Sequence, residues 1–407
     1  MTAMLRVWSD NQPAGVLGRN GARGATFAYA PDAEPARAVS VTMPVRLASW
    51  DMSFGLHPIF EMNLPEGFLR ERLRRDFAKV TGHFDEMDLL GIVGRAQVAR
   101  LRYTAEDAEL DDEVPFQSVD EILKSRREGD LFAYLLDRFS RYSGVAGVQP
   151  KVLIRDEGEA EALQDRQSAS VRAATHIVKF WDPAEYPQLA ANEFFALDVA
   201  AAAGLKVPRH RLSEDGRALV VDRFDLTPDG TYLGFEDFCV LNGRRAEDKY
   251  NGSAEVMLFR RLQSMAPGDR RQVEAMFLLF VVNCALRNGD AHLKNFGMLY
   301  DDVRGAMTLA PAYDILTTTV YVPKDAMALT LGGTTCWPDR KRLLELGTVR
   351  CAIQPKRVGE IFEMVASAID QVSGTVRDYI VGHPEFEEVG RRMLGEWESG
   401  VRETLGL

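Results

Sequence analysis

The sequence has few cysteines and no long hydrophobic run. Its four cysteines, in a chain of 407 residues, are scattered without paired spacing, which argues against a disulfide framework and against a zinc site. The longest apolar segment, residues 276–286, is about half the length that a membrane span needs, and Asn283 interrupts it. The N-terminal segment also lacks the apolar core of a secretory signal. We therefore expect a cytoplasmic protein without a membrane partner.

Positive charge is also in deficit. Lysine and arginine total 49 and aspartate and glutamate total 60, so the formal net charge is −11. This excludes a free-standing nonspecific nucleic-acid binder, because phosphate binding needs a surplus of positive charge. A local basic cluster has the spacing of a solvated helix face: Arg70, Arg72, Arg74, Arg75 and Lys79. Hydrophobic residues make up 46% of the chain, as in a folded protein, and the length predicts about two to three domains.

The pattern of predicted elements changes near residue 235. Before it, short alternating segments and a turn over residues 11–15 are typical of β-hairpins. A helix is predicted over 118–141, since Ser118 and Glu121 have the spacing of a capping box. After it, helical segments dominate, beginning with one predicted over 235–242. A sheet-rich half followed by a helix-rich half predicts a two-lobed α+β protein.

The segment 287–296 contains an acid five residues before an asparagine. The spacing from Asp290 to Asn295 is that of a protein-kinase catalytic loop. The carboxylate can orient or accept the proton of an incoming hydroxyl, and the amide oxygen is a neutral ligand for Mg²⁺. The same spacing also fits a turn in which both side chains cap the backbone, so its meaning depends on the rest of the chain.

Three further residues follow the order found in kinases. Asp314 lies after a predicted short hairpin, where a kinase keeps its second metal-binding acid. Lys179 is the single lysine of an apolar strand, like the lysine that contacts the α- and β-phosphates. Glu193 follows on a helix from which it can pair with Lys179. An edge-strand charge and a solvated helix face are the structural alternatives, and each is less plausible when all the residues are taken together.

A glycine-containing turn lies just before a strand predicted to begin near residue 152. Gly144 and Gly147 allow its backbone amides to approach phosphates closely. The segment is not a Walker A loop. By itself it is more typical of an ordinary tight turn than of a nucleotide site.

With these motifs, the sequence resembles the HipA-like serine/threonine kinase toxins of bacterial toxin–antitoxin systems, over nearly the whole chain. The segments that carry the resemblance are 146–151, the strand around Lys179, 192–194, 222–225, 236–239, 290–296 and 311–314. It implies a two-lobed protein-kinase-like fold with a sheet-rich N-terminal lobe and an all-helical C-terminal lobe. The implied domains are a small N-terminal subdomain (1–110), a kinase N-lobe (111–234) and a helical C-lobe (235–407).

The resemblance also implies roles for single residues. Asp290 is the catalytic acid, Asn295 and Asp314 are Mg²⁺ ligands, and Lys179 contacts the phosphates of ATP. The segment 222–224 is the hinge near adenine. The full set that the resemblance assigns to nucleotide binding is Val145, Ala146, Gly147, Val148, Gln149, Lys151, Lys179, Asp222, Arg223, Phe224, His292 and Lys294.

One position departs from the family pattern. A serine that undergoes inhibitory autophosphorylation lies five residues before the loop glutamine in the family, and here that position is Gly144. Ser143 lies six residues before Gln149. It is the candidate autophosphorylation site if the loop slips by one residue, which the permissive Gly144 allows.

The leading hypothesis is an ATP- and Mg²⁺-dependent serine/threonine protein kinase that acts as a toxin. The resemblance implies a helix-turn-helix antitoxin as partner, contact with DNA only through it, and an aminoacyl-tRNA synthetase as a candidate substrate. The alternatives are a nucleotide-binding pseudokinase that serves as partner of a DNA-bound antitoxin, and a small-molecule kinase of the same broad fold. The leading hypothesis is favoured because a pseudokinase usually lacks one of the four kinase residues, and all four are present here: Lys179, Asp290, Asn295 and Asp314.

Overall fold

The computed structural model describes residues 4–21, 23–81, 84–111, 113–124, 131–147, 149–156, 173–181, 185–227 and 230–407. Within these ranges three antiparallel sheets follow one another along the chain, and most of the long helices come after the second sheet. No helix in the same ranges is long and apolar enough to cross a membrane.

The first sheet consists of β1 (Met4–Ser9), β2 (Gln12–Asn20), β3 (Gly24–Tyr29), β4 (Trp50–Met52) and β5 (Leu101–Ala105). Their spatial order is β4–β3–β2–β1–β5. The predicted hairpin turn lies earlier than expected, at Asp10 and Asn11, which both have positive φ angles as in a tight hairpin. Pro13, expected in the turn, lies inside β2. It is tolerated there because the ladder shifts register between Val7 and Trp8.

Three helices share a hydrophobic core with this sheet: α1 (Pro58–Glu61), α2 (Gly67–Thr81) and α3 (Glu86–Val93). α3 begins at a capping box, in which Asp85 accepts from the amide of Asp88 at 3.1 Å and Asp88 accepts from that of Asp85 at 3.2 Å. Arg19 of β2 donates to both carboxylates, at 3.0 Å in each case. These bonds fasten the hairpin to the helix.

The helix predicted over 118–141 is found as two helices, α4 (Val119–Leu123) and α5 (Leu131–Phe139), and residues 125–130 lie outside the described part of the chain. Ser118 caps α4 by accepting from the amide of Glu121 at 3.3 Å. The side chain of Glu121 accepts from Gln117 at 3.1 Å instead of closing the predicted box. A polar segment further along the chain, residues 157–172, likewise lies outside the described part.

The second sheet consists of β6 (Lys151–Ile154), β7 (His176–Phe180), β8 (His210–Leu212) and β9 (Ala218–Asp222), in the order β6–β7–β9–β8. Its alternate side chains enter two different cores. Leu219 and Val221 pack with α6 (Leu189–Ala202), whereas Ala218 and Val220 pack in the core of the first sheet. The two-residue period of a strand explains this division, and it leaves the sheet buried on both faces.

The third sheet consists of β10 (Gly234–Asp237), β11 (Gly297–Tyr300) and β12 (Thr308–Leu309). The helix predicted over 235–242 is therefore wrong at its start, because β10 pairs with β11. α7 (Phe238–Leu241) begins only after Asp237, whose carboxylate accepts from the amide of Val240 at 2.8 Å. Apart from this sheet, the helices of the C-terminal half are joined by loops, and its three strands show that the lobe predicted as all-helical is only mainly helical.

The remaining helices are α8 (Arg261–Met265), α9 (Arg270–Ala285), α10 (Arg340–Glu345), α11 (Pro355–Gly382) and α12 (Glu387–Ser399). Shorter π-helical segments lie at Glu255–Arg260, Leu346–Arg350 and Gly400–Leu405. Most of α9 is buried, and its C-terminal end leads directly into the segment predicted to be catalytic. The predicted sequence of a sheet-rich half and a helix-rich half is thus found, while the boundaries at 110 and 234 stay a prediction.

Candidate active site

A cleft of about 800 Å³ lies where the first sheet's helices, the second sheet and the C-terminal half meet. The predicted site residues that the structure describes line this cleft, with the exceptions of Ser143 and Glu193. Val148, also predicted to contact the nucleotide, lies outside the described residues. The cleft therefore brings together residues that are separated by more than a hundred positions in the chain.

The predicted catalytic loop is fixed at its start by Arg287 and Asn288. Arg287 has a φ of 58° and donates to Thr404 at 3.0 Å and to Glu403 at 2.8 Å, which anchors the end of α9 to the C-terminal segment. Asn288 donates to Asn283 at 2.6 Å and accepts from the amide of Asp290 at 3.2 Å. The backbone that carries Asp290 is thus held by a network of buried and partly buried hydrogen bonds.

Asp290 projects into the cleft and meets a tyrosine from outside its loop. The hydroxyl of Tyr250 donates to Oδ1 of Asp290 at 2.7 Å, and Nε2 of His292 lies 4.0 Å from the same oxygen. Burial raises the pKa of Asp290, and the bond from Tyr250 opposes this effect. Burial also lowers the pKa of His292 to about 3, so the imidazole is neutral at neutral pH.

Asn295 closes the loop at its other end. Its amide oxygen accepts from the backbone of His292 at 3.1 Å, and its own backbone donates to the carbonyl of His292 at 3.0 Å. This is the turn-capping arrangement that the sequence left open for the Asp–Asn spacing. The capping and the position in the cleft are compatible, because an amide oxygen has two lone pairs and Asn295 still lines the cleft.

Lys179 lies between two carboxylates, as the sequence predicted for one of them. Its ammonium group donates to Glu193 of α6 and to Asp314, and the side chains of Lys179 and Glu193 are almost fully buried. Burial disfavours the charge of Lys179, but the two carboxylates outweigh it and raise its pKa. The side chain of Asp314 is only partly buried, and Lys151 and Lys179 hold its pKa well below the ordinary range against the effect of that burial.

The glycine loop lies over the cleft. Gly147 has a φ of 121°, a backbone conformation that favours glycine, and a Cβ at this position would also crowd Nζ of Lys151. Nζ of Lys151 lies 3.9 Å from Oδ2 of Asp314. Gln149 donates to the carbonyl of Phe180 at 3.0 Å. The loop therefore places Lys151 beside Lys179 and Asp314.

Ser143 lies inside the protein and not in the cleft. Its hydroxyl donates to the carbonyl of Phe139 at 2.7 Å and accepts from the amide of Leu153 at 2.9 Å, and the residue is fully buried. The amide of the neighbouring Gly144 donates to the carbonyl of Ala96 at 2.9 Å. Autophosphorylation of Ser143 stays a prediction, and it requires a conformation in which both hydroxyl bonds are broken.

The predicted hinge divides its side chains between the cleft and the N-terminal part of the chain. Phe224 packs against Tyr313 and Phe235, with ring centroids 5.6 Å apart in both pairs. The guanidinium of Arg223 turns away and donates to the carbonyls of Ala174 and Gln97 at 3.0 and 3.1 Å. Phe224 provides an aromatic surface in the cleft, whereas the side chain of Arg223 has a structural role.

Lys294 is bonded to residues that sequence reasoning missed. Its ammonium donates to the carbonyl of Met62 at 2.9 Å and lies 3.2 Å from Glu66. Burial disfavours its charge, but Asp237 and Glu66 outweigh this and raise its pKa. Asp237 lies in a segment that carried the family resemblance, so it could have been proposed from the sequence. Glu66, more than two hundred residues before Lys294, gave no such signal.

Comparison with known proteins places this arrangement in a class. HipA of the Shewanella oneidensis MR-1 toxin–antitoxin system, solved with HipB and its operator DNA, matches with a TM-score of 0.68 at 19% identity, covering 99% of this chain and 98% of that chain. This likeness establishes a two-lobed, kinase-like α+β fold, which confirms the predicted fold class.

The family follows from the sequence comparisons. Residues 143–373 match the family model described as HipA-like C-terminal domain, and residues 5–104 match the HipA N-terminal domain. The chain belongs to the HipA-like family, as its motifs predicted.

Two curated relatives come from Sinorhizobium fredii. "Putative kinase Y4mE" is 37% identical over 46% of this chain, and "Putative kinase Y4dM" is 30% identical over 68% of it. The matched regions span 45% and 66% of the lengths of those two proteins.

Proposed function

We propose that the chain is an ATP- and Mg²⁺-dependent serine/threonine protein kinase and the toxin of a toxin–antitoxin module. The observation that carries the proposal is the contact of Lys179 with both Glu193 and Asp314, in the same cleft as Asp290 and Asn295. A lysine buried between carboxylates is a point charge held ready for phosphate oxygens. The family and the relatives named as kinases support this interpretation.

The residues present fit ATP and Mg²⁺. Asp314 and Asn295 offer a carboxylate and an amide oxygen to the cleft, and Mg²⁺ in proteins is commonly held by one or two such oxygens together with substrate phosphates. When bound, the ion would neutralise negative charge on the transferring phosphoryl group. Lys179 and Lys151 would bind the phosphates, and Phe224 offers an aromatic face for the base.

The chain's own residues account for activation of the acceptor. Asp290 orients the incoming hydroxyl toward the γ-phosphate and receives its proton as the new P–O bond forms, while the bond from the γ-phosphorus to the β–γ bridging oxygen breaks and ADP leaves. Burial lowers the pKa of the nearby His292 to about 3, so its imidazole is a weak base and does not compete for that proton. Glu66 and Asp237 compensate the positive charge of Lys294. The side chain of Lys294 therefore stabilises the conformation of the catalytic loop.

The test is phosphate transfer from labelled ATP in the presence of Mg²⁺ and a cell lysate. We expect labelled protein bands with the natural chain and none with Asp290→Ala. The matched control is Asp378→Ala, an exposed aspartate on α11 outside the cleft, which should label as the natural chain does. Labelling by Asp290→Ala equal to that of the natural chain would refute the assignment. Nucleotide binding without transfer would favour the pseudokinase alternative.

The proposal extends to a partner and a substrate class. The structural relative was solved together with HipB and operator DNA, which supports a helix-turn-helix antitoxin that brings this chain to DNA indirectly. The resemblance implies an aminoacyl-tRNA synthetase as acceptor. Copurification from the native host with a small DNA-binding protein, and identification of the labelled lysate bands by mass spectrometry, test the two parts separately.

A further inference from the structure

Tyr250 contacts the proposed catalytic carboxylate from a segment that carries no kinase motif. Its hydroxyl donates to Oδ1 of Asp290 at 2.7 Å. The side chain of Asp290 is still 47% exposed, and a carboxylate has two oxygens that accept hydrogen bonds. The tyrosine therefore occupies one oxygen and leaves accepting capacity for an incoming hydroxyl.

The position of Tyr250 is fixed from several sides. The carbonyl of Lys249 accepts from the amide of Leu293 at 3.1 Å, so the tyrosine segment is joined to the catalytic loop. The ammonium of Lys249 donates to Glu66 at 2.9 Å. The tyrosine ring meets the ring of His292 edge-on, with centroids 5.0 Å apart. These contacts hold the tyrosine in the orientation that bonds Asp290, so the bond does not depend on a freely rotating surface side chain.

We propose that Tyr250 is a positioning residue for phosphoryl transfer, whose hydroxyl fixes the Asp290 carboxylate so that its second oxygen faces the acceptor. The inference rests on the proposed function. A fixed carboxylate raises the fraction of encounters in which the acceptor hydroxyl is aligned with the phosphate. Burial and Asp290 raise the pKa of the phenol, so Tyr250 stays a donor at neutral pH.

The charged groups that face Asp290 come from several elements. Burial raises its pKa, the bond from Tyr250 and the charge of Lys249 lower it, and Asp314 and Asp325 raise it. The nearby His292 is neutral at neutral pH. Removal of the Tyr250 hydroxyl takes away one of the two contributions that lower the pKa of Asp290. The contribution of Lys249 and those that raise the pKa stay unchanged.

The first test is Tyr250→Phe, which keeps the ring and removes the hydroxyl. Water serves as the acceptor, and ATP turnover is measured at varied ATP. We expect kcat to fall about tenfold while KM and the dissociation constant for ATP stay within about twofold, since an orientation effect acts on the chemical step. Tyr134→Phe is the control, because the Tyr134 hydroxyl bonds Arg138 outside the cleft. An unchanged kcat in an active enzyme overturns the inference.

The second test needs no turnover. The carboxyl carbon of Asp290 is titrated by ¹³C NMR in the natural chain and in Tyr250→Phe. A hydrogen bond donated to the ionised form lowers a carboxyl pKa, so the variant should titrate at higher pH. An identical titration overturns the inference. If the natural chain transfers no phosphate, the proposed function fails, and this titration still decides whether the Tyr250 hydroxyl bonds the ionised carboxylate of Asp290.

Discussion

The ammonium group of Lys179 contacts the carboxylate of Asp314, 135 residues further along the chain. Lys179 comes from β7 of the sheet-rich lobe, and Asp314 comes from the loop after β12 in the helical lobe. Asp314 has a φ of 52°, a left-handed conformation that is uncommon for residues other than glycine. The backbone at Asp314 is therefore held in a less favourable region at the point where the two lobes meet.

Asp314→Ala should lower phosphate transfer by at least about 100-fold, because the proposed Mg²⁺ site loses its carboxylate and charge on the transferring group is left uncompensated. The fold should persist, since Lys179 keeps its contact with Glu193. Turnover and the thermal unfolding midpoint are the measurements, with the exposed Asp378→Ala as control. A variant that transfers phosphate at the natural rate would show that the assignment of Asp314 is wrong.

Lys179 and Glu193 should be energetically coupled. Lys179→Ala removes the charge that contacts phosphate, whereas Glu193→Gln removes only the group that steers it, so the first should reduce kcat/KM more than the second. The double variant should lose less than the sum of the two, with a coupling energy of about 0.5–3 kcal/mol. Kinetics of the four proteins complete the cycle. Strict additivity would contradict the pairing.

Glu66 should make stability depend on pH in the acidic range. Burial alone would raise its pKa, but Lys294 and Lys249 outweigh burial and hold the pKa at about 2, below the ordinary value of 4.5. Because the folded-state pKa is the lower one, the stabilisation is complete above about pH 4.5 and is lost as the pH falls toward 2.

The measurement for Glu66 is the free energy of unfolding from neutral to acidic pH. At pH 7, Glu66→Gln should lower it by about 1–3 kcal/mol, since two buried ammonium groups lose their shared carboxylate. The difference from the natural chain should shrink as the pH falls from about 4.5 to about 2. Glu71→Gln, an exposed position on α2 five residues after Glu66, is the control. A difference that stays constant with pH would disprove the ion-pair explanation.

Ser143→Ala should lower the free energy of unfolding, because the substitution removes a fully buried hydroxyl. The variant leaves the carbonyl of Phe139 and the amide of Leu153 without their buried partner, which costs about 1–3 kcal/mol in the free energy of unfolding. Ser264→Ala, an exposed serine on α8, should change it by less than about 0.5 kcal/mol. Equal effects of the two substitutions would be evidence against the bridging role of Ser143.

Peptide mapping after incubation with ATP and Mg²⁺ tests autophosphorylation of Ser143. A phosphate there adds about −1.5 to −2 charges and cannot fit where the hydroxyl now lies, so the loop must leave the cleft and activity should be lost. An active protein that remains unmodified at Ser143 would show that this control is absent and that restraint comes from a partner.

Residues whose roles depend on local pattern were predictable. Asp290 and Asn295 are five residues apart on one loop, and Lys179 is a lone charge in an apolar strand, so short segments sufficed to propose them. Glu193 was predicted to pair with Lys179, and the structure shows the contact. In the fold, the division into a sheet-rich and a helix-rich half followed from hydrophobic periodicity in the same way.

Features set by distant contacts were not predictable. Glu66 meets the catalytic loop through its ion pair with Lys294, and the Tyr250 segment is joined to the loop by the bond from Leu293 to Lys249, contacts that no local pattern encodes. Arg223 was assigned to the nucleotide, but its side chain satisfies carbonyls of the N-terminal part of the chain. The strand at Gly234–Asp237 was taken for helix because its partner, β11, lies some sixty residues away.

The bond from Lys294 to Met62, together with its ion pair to Glu66, has a thermodynamic consequence. A molecule that binds the N-terminal domain and shifts these two residues also shifts the loop that carries Asp290. Linkage requires the effect to be reciprocal: nucleotide changes the affinity for that molecule by the same factor by which the molecule changes the affinity for nucleotide. A coupling free energy of about 1–3 kcal/mol corresponds to a factor of about 5 to 150. Binding at the N-terminal domain therefore changes the affinity of the cleft for nucleotide, and nucleotide in the cleft changes the affinity of the N-terminal domain for its ligand.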